Sequence, residues 1–366
     1  MSPPSDIVHM RHALRLAARG LGRVAPNPAV GCIIVSPRGD VVGRGWTGAG
    51  GRPHAETEAL KRAGKGARGA TAYVTLEPCT HHGATPPCAD ALIAGGIVRA
   101  VVAVRDPDAR VNGKGIAKLR DAGIATDEGV CESDASFLNA GFFKRVASGR
   151  PLVALKIAQS ADGRVASASG ESKWITGEEA RRFGHLLRAE ADAILVGAGT
   201  ALADDPDLTC RLPGMEDRSP LRVVLDSQLR LSPDSRLARS ARDVPVVLFT
   251  ARKDGGEALA AQGVKIARVE ADAHGRPDLR AVLDALGMRG MTRLLVEGGP
   301  TIHAAFLNAH LADRVHLFRA SRLLGGGGRA AVDALAVLGL AQAPRLEPLE
   351  RQALGADLLE TFAIKA

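Results

Sequence analysis

Aromatic side chains are scarce in this chain: one Tyr, two Trp and eight Phe make up 3% of 366 residues. A single-stranded nucleic-acid surface built on stacked bases therefore has little material. No apolar run reaches the ~18 residues of a membrane helix. The N-terminus, Met1-Ser2-Pro3-Pro4-Ser5-Asp6, lacks the basic region and apolar stretch of a secretory signal. Lys and Arg form no dense block or tail, although the net charge is +8. That charge is concentrated early: residues 1–150 hold 20 Lys and Arg against 13 Asp and Glu, and residues 151–366 hold 28 against 27. Such a balance suits a small phosphorylated ligand better than a polynucleotide or a membrane. Cysteine is sparse and odd in number, at five, which argues against a disulfide framework and for a reducing cytoplasm. Internal repeats are absent.

What is present is a run of chemistry-bearing residues: His54-Ala55-Glu56, then Pro78-Cys79, then Cys88. One His and two thiolates fill three corners of a tetrahedral zinc site and leave the fourth for water. The metal brings the pKa of that water towards neutrality. Glu56 is placed to shuttle a proton from the water to a departing amine, as in hydrolytic deamination of a nucleobase-like ring. Pro53 fits the first position of a helix carrying His54 and Glu56, and Pro78 and Pro87 can open helices with Cys79 and Cys88 in their first turns. Thiolates are favoured there by the helix dipole. Residues two apart on a helix diverge by about 200°, so His54 and Glu56 converge only across a first turn. A structural zinc site would need a fourth protein ligand, for which His81 and His82 are the candidates. Eight residues separate the two thiols where the usual deaminase signature has two.

The length is enough for two domains, each with its own core. Residues 7–19 carry a helical apolar face, 29–35 and 41–46 read as strands, and a strand at 72–76 follows the His54 helix. The Cys88 helix, a strand at 98–104 and helices at 115–122 and 134–147 complete a layered α/β domain, residues 1–148. The joint is Ser148-Gly149-Arg150-Pro151. The second domain, residues 150–366, alternates strands near 152–157, 192–196, 221–226, 244–249, 264–269 and 293–296 with helices near 177–189, 278–287 and 300–310. Thr176-Gly177-Glu178-Glu179 reads as a capping box. No Gly-x-Gly-x-x-Gly follows its first strand, which excludes the standard dinucleotide fingerprint. Two glycine turns, Gly197-Ala198-Gly199-Thr200 and Glu297-Gly298-Gly299-Pro300-Thr301, could instead admit a phosphate to bare backbone. Gly325 to Gly328 reads as a hinge or edge loop.

Nearly the whole chain resembles the bifunctional deaminase–reductases of riboflavin biosynthesis. The resemblance rests on Pro26-Asn27-Pro28-Ala29-Val30-Gly31, His54-Ala55-Glu56 and Thr75-Leu76-Glu77-Pro78-Cys79-Thr80-His81-His82-Gly83 running to Pro86-Pro87-Cys88. In the second half it rests on Lys156, Ser160-Ala161-Asp162-Gly163-Arg164, Gly170 to Thr176, Ala203-Asp204-Asp205-Pro206 and the Glu297 turn. It implies a cytidine-deaminase-like three-layer domain followed by a dihydrofolate-reductase-like α/β domain. The first would remove the 2-amino group of a diaminopyrimidinone ribosylamino phosphate, with one Zn²⁺ on His54, Cys79 and Cys88 and Glu56 as catalytic residue. The second would reduce the ribosyl group to a ribityl chain with NADPH. By motif match the cofactor would touch Ala158, Trp174, Thr200, Asp204, Ser227, Gly299, Pro300 and Thr301. The substrate would touch Ser172, Arg188, Leu208, Arg211 and Glu297, with Asn27 and His82 in the deaminase half, and the enzyme would be a homo-oligomer. Arg188 and Arg211 suit a phosphate through the guanidinium fork; core packing is the ordinary alternative for Trp174. Many relatives carry a basic residue at the position of Ala84, so phosphate contact in the first site must come from elsewhere. The rival readings are a nucleic-acid or nucleotide deaminase with an accessory domain, and a binding module with purely structural zinc.

Overall fold

The computed structural model describes residues 3–81 and 86–365. His82 and Ala84 thus lie outside the described residues. The chain divides into two compact units, Met1–Gly149 and Arg150–Ala366.

In the first unit the elements run α1 (Pro4–Ala18), β1 (Gly31–Val35), β2 (Val41–Trp46), α2 (Ala55–Ala63), β3 (Thr71–Val74), α3 (Cys88–Ala94), β4 (Arg99–Val102), α4 (Lys114–Asp121), β5 (Ala125–Glu128) and α5 (Glu132–Ser148). The sheet order is β2-β1-β3-β4-β5, with β1 antiparallel to β2 and β3 and the β3, β4, β5 run parallel. One face of the sheet packs with Ala55, Ala59, Ala89, Leu92 and Leu119 from α2, α3 and α4; the other packs with Met10, Ala13 and Leu14 from α1 and Ala135 from α5. Two helical layers on one sheet are the expected three-layer arrangement. A close approach sets α2 in place: a Cβ on Gly45 of β2 would lie 2.0 Å from the Ala55 carbonyl oxygen. Only a glycine lets the helix start sit this near the strand.

The second unit runs β6 (Leu152–Ser160), β7 (Arg164–Ala166), α6 (Glu178–Glu190), β8 (Ala193–Gly197), α7 (Ala198–Asp204), β9 (Leu221–Leu225), α8 (Arg236–Arg239), β10 (Val246–Thr250), α9 (Glu257–Ala261), β11 (Lys265–Arg268), α10 (Leu279–Met288), β12 (Arg293–Val296), α11 (Pro300–Asn308), β13 (Arg314–Ala320), β14 (Arg329–Ala330), β15 (Arg345–Leu354) and β16 (Asp357–Lys365). Its nine-stranded sheet has the order β11-β10-β9-β8-β12-β6-β13-β16-β15. The strands are parallel up to β13, and the β13, β16, β15 edge is antiparallel. β8, β9 and β10 are almost fully buried apolar runs, as a parallel sheet covered on both faces requires.

Three local expectations change. Pro53 is not the first helical residue: α2 opens at Ala55, and His54 is its extended N-cap (φ −74°, ψ 155°). Cys79 is on no helix; it lies in the loop after β3, while Cys88 is the first residue of α3 behind Pro87. The capping box does not form. Gly177 is the N-cap of α6 with no side-chain cap, and its N–H instead donates to Asp357 at 2.6 Å.

Candidate active sites

The end of β3 and the starts of α2 and α3 bring His54, Cys79 and Cys88 together, with ligand atoms all within 4.8 Å of one another. His54 Nδ1 is 3.1 Å from Cys88 Sγ and 3.7 Å from Cys79 Sγ. Ligands held at 2.0–2.3 Å around a tetrahedral zinc lie about 3.5 Å apart, so this donor set fits the ion in type and spacing. Among the described residues the group has no fourth member, which is the pattern of an open catalytic site and not of a closed structural one. His81 lines the adjoining cavity without joining the cluster. The Cys79 thiol is acidified to about 4, chiefly by a hydrogen bond from Cys88, with His54 adding to it. The Cys88 N–H also donates to Cys79 Sγ at 3.4 Å.

Because His54 precedes the helix, the angular divergence expected within a helix does not arise, and Glu56 reaches the same place from the first turn of α2. It is 3% exposed. Burial, and then the negative charge of Cys79, push its carboxyl up to about 7. A carboxyl poised there can take and return a proton at neutral pH. The cavity, of about 110 Å³, is lined by Glu56, His54, Cys79 and the expected Asn27, together with Arg52, Asp106, Asp108 and Arg110. Three buried side chains hold its Asn27 wall. Asn139 of α5 accepts from the Ala29 N–H and donates to the Ala29 carbonyl (both 3.0 Å), Thr47 accepts from Val30 N–H, and Thr75 from Gly31 N–H.

In the second unit a cleft of about 1200 Å³ opens at the carboxyl ends of β8, β9 and β12. It gathers Ser172, Thr200, Asp204, Ser227, Glu297, Gly299, Pro300 and Thr301. α11 begins at Pro300 with Gly299 as N-cap, so its free N–H groups face an anion arriving there. The Thr301 hydroxyl is bound to Asp333 at 2.6 Å. Ala158 lies in a neighbouring recess with Lys156, Glu297 and Gly299. Trp174 is 62% exposed, which rules out core packing; the Arg181 guanidinium sits 4.9 Å from its ring centre.

Arg188 forms a two-toothed pair with Glu297 (2.7 and 2.9 Å) and donates to the Thr209 carbonyl at 3.1 Å. Its fork is thus engaged within the protein. Burial pushes Glu297 up, but Arg188 and Lys156 outweigh it and bring it to about 2. Lys156, 3.8 Å from Glu297, is nevertheless lowered, because burial and the like charge of Arg188 exceed that longer attraction. The Arg188 contact is the strong one of the two. Leu208 packs into the core with φ +54°, and Arg211 pairs with Asp207 at 3.5 Å; neither lines the cleft.

The sequence reading missed Arg52, Asp106, Asp108 and Arg110 in the first site. The Asp-Pro-Asp turn after the 98–104 strand was the available signal, since it follows a strand carboxyl end where loops build α/β sites.

Residues 4–104 match the cytidine and deoxycytidylate deaminase zinc-binding region, and residues 151–359 match the RibD C-terminal domain. The riboflavin biosynthesis protein RibD of Escherichia coli is 42% identical over 364 residues, covering 96% of this chain and 98% of the relative. That of Aquifex aeolicus is 40% identical, covering 98% of each. Among solved structures, Acinetobacter baumannii RibD superposes with a TM-score of 0.86 at 38% identity over 99% of both chains. The diaminohydroxyphosphoribosylaminopyrimidine deaminase/5-amino-6-(5-phosphoribosylamino)uracil reductase of Thermotoga maritima gives 0.86 at 35% over the same share.

Proposed function

The chain belongs to the RibD family, the bifunctional deaminase–reductases of riboflavin biosynthesis, and from that premise we propose how its two sites divide the work. Residues 1–148 carry hydrolytic deamination of the diaminopyrimidinone ribosylamino phosphate, and residues 150–366 carry reduction of its ribosyl group. The observation that carries the first assignment is the convergence of His54, Cys79 and Cys88 beside the buried Glu56.

Zinc held by His54, Cys79 and Cys88 would supply a Lewis acid that lowers the pKa of water. Glu56 takes a proton from the attacking water and returns one to the amino group, which leaves as ammonia. Asn27, fixed through the Asn139 clamp, orients the pyrimidine, and the buried walls exclude other water. His82 remains a candidate substrate contact.

In the second unit NADPH would supply the hydride. Ser172, Thr200, Asp204, Ser227 and the α11 start, which line the cleft, would bind and orient the cofactor and substrate, and by motif match Ala158, in the recess beside Glu297, and Trp174 would also touch the cofactor. Lys156, a buried ammonium lowered from the ordinary lysine value and standing beside the ionised Glu297, can supply the one proton that hydride reduction of a sugar carbonyl or imine requires. Leu208 and Arg211, which do not line the cleft, are assigned no contact in it.

A reducing compartment such as the cytoplasm suits five free thiols, and no helix among the described residues is long and apolar enough to cross a membrane. We also propose a homo-oligomer: β15 is an edge strand exposed along nine of its ten residues, and long open edges invite pairing. Sedimentation velocity tests that. The central test is incubation with the diamino substrate and NADPH, following ammonia and NADPH absorbance separately. Ammonia should appear without NADPH, and NADPH should be consumed only after deamination.

A further inference from the structure

Resting on the reading that the first unit deaminates a phosphorylated pyrimidine, we propose that Arg110 binds the substrate's phosphate in the deaminase cavity. A phosphate monoester carries about −1.5 to −2 charge at pH 7 and three strong acceptor oxygens, and a guanidinium is its best-matched partner. Thr80 to Pro87, the stretch between the two thiols, contains no Lys or Arg. Among the described residues, the cavity that holds Glu56 is lined by Arg52, Arg110, His81 and His54 as its cationic or potentially cationic groups, and His54 is committed to the metal cluster.

Arg52 directly precedes Pro53 and the metal-cluster residue His54. It stands at the end where the pyrimidine must meet Glu56, and a dianion there would face Glu56 and the Cys79 thiolate. Arg110 acts instead on Asp108 and Asp106. Its Nε donates to Asp108 at 3.0 Å and its Nη2 at 2.5 Å, and its backbone N–H reaches the same carboxylate at 2.9 Å. This bracing fixes one edge of the guanidinium. The Nη1 edge makes no hydrogen bond to the described residues, and its outward N–H groups are what a phosphate takes in pairs.

The wall that carries Arg110 is itself anchored to the metal-ligand loop. The buried Glu77 carboxylate, two residues before Cys79, accepts from the N–H groups of Asp106 (3.3 Å), Gly113 (2.9 Å), Gly115 (2.8 Å) and Ile116 (3.3 Å). One side chain therefore sets the spacing between the reacting end and the arginine.

The test uses full-length protein carrying Glu56→Gln, so that binding is read without turnover. Calorimetry compares the phosphorylated substrate with its dephosphorylated form. Arg110→Ala should weaken the phosphorylated ligand by about 10–100-fold, the worth of a charge-assisted hydrogen-bond pair, and leave the dephosphorylated one within about twofold. Arg110→Lys should recover part of the loss, and zinc content should be unchanged. Equal weakening of both ligands, or loss of the phosphate preference in Arg52→Ala or His81→Ala but not in Arg110→Ala, overturns the assignment. If the wild type releases no ammonia from the phosphorylated compound, the functional reading fails and takes this inference with it. Ammonia release with a phosphate preference that Arg110→Ala does not alter sinks the inference alone.

Discussion

Replacing Glu297 by Gln should destabilise the second unit by about 3 kcal/mol at neutral pH. The side chain is buried between Arg188 and Lys156, and its carboxyl titrates at about 2 against an ordinary 4.5. A shift of roughly 2.5 units at 1.36 kcal/mol each gives about 3 kcal/mol of preference for the charged form in the fold. The independent expectation for breaking a buried ion pair, ~3–5 kcal/mol, is of the same size. Gln keeps the shape and leaves two buried cations without their counter-charge. The sign follows from the depressed pKa. The contribution is complete above about pH 4.5 and drains away as pH falls towards 2, so about 2 kcal/mol should remain at pH 3.5. Urea unfolding of wild type and variant at pH 7 and 3.5 measures the gap, and hydrogen exchange at the β6 and β12 amides assigns it to the second unit. A gap below about 1 kcal/mol at pH 7, or one that widens on acidification, would refute the reasoning.

Glu56→Gln should retain zinc and lose ~10²–10⁴-fold in deamination, since one proton carrier serves both attack and departure; near-normal ammonia release would remove Glu56 from that role. Cys79→Ala and Cys88→Ala should each strip the metal, measured by elemental analysis, and full occupancy in either would point to His81 or His82 as a ligand. Gly51→Ala places a Cβ 1.9 Å from Asn27 Nδ2 at a φ of +85°; displacing Asn27 should cost roughly 10–100-fold in deamination kcat/KM with reduction unaffected. Residues 150–366 alone should fold and oxidise NADPH with the deaminated intermediate, yet release no ammonia from the diamino form. An insoluble fragment beside an active full chain would show that the second unit needs the first.

How far the fold could be read from sequence depended on burial. β8, β9, β10 and β12 sit in a parallel sheet covered on both faces, so they appear as apolar runs between turns. β15 could not be read the same way. Its residues Arg345 to Ala353 are exposed and mostly polar, and β16 buries Asp357 and Thr361 beside Leu359. Pairing along the sheet edge, and no pattern of their own, makes these strands. β5, Ala-Thr-Asp-Glu, escaped for the same reason. Gly197-Ala198-Gly199-Thr200 reads as a strand-to-helix turn, and its glycines are the N-cap and second residue of the short helix α7 itself.

The two sites differ in legibility for a physical reason. Zinc chemistry restricts ligands to a few residue types, so His54, Cys79 and Cys88 announce themselves, and only their secondary structure differs from expectation: Cys79 opens no helix of its own but lies in the loop after β3, where the start of α3 holds it through Cys88 N–H to its Sγ and Ala89 N–H to its carbonyl. The reductase cleft is built largely from backbone at glycine turns and from charges whose meaning depends on their partner. Arg188 looked like a phosphate ligand because a guanidinium fits one; folded, it meets Glu297 from a turn more than a hundred residues away. A guanidinium already braced by a carboxylate can still serve an anion if an edge stays open, which holds for Arg110, whereas Arg188 spends Nε, Nη1 and Nη2 inside the protein. The same residue type thus carries a structural charge in one unit and an available one in the other, and only the count of its occupied N–H groups tells them apart.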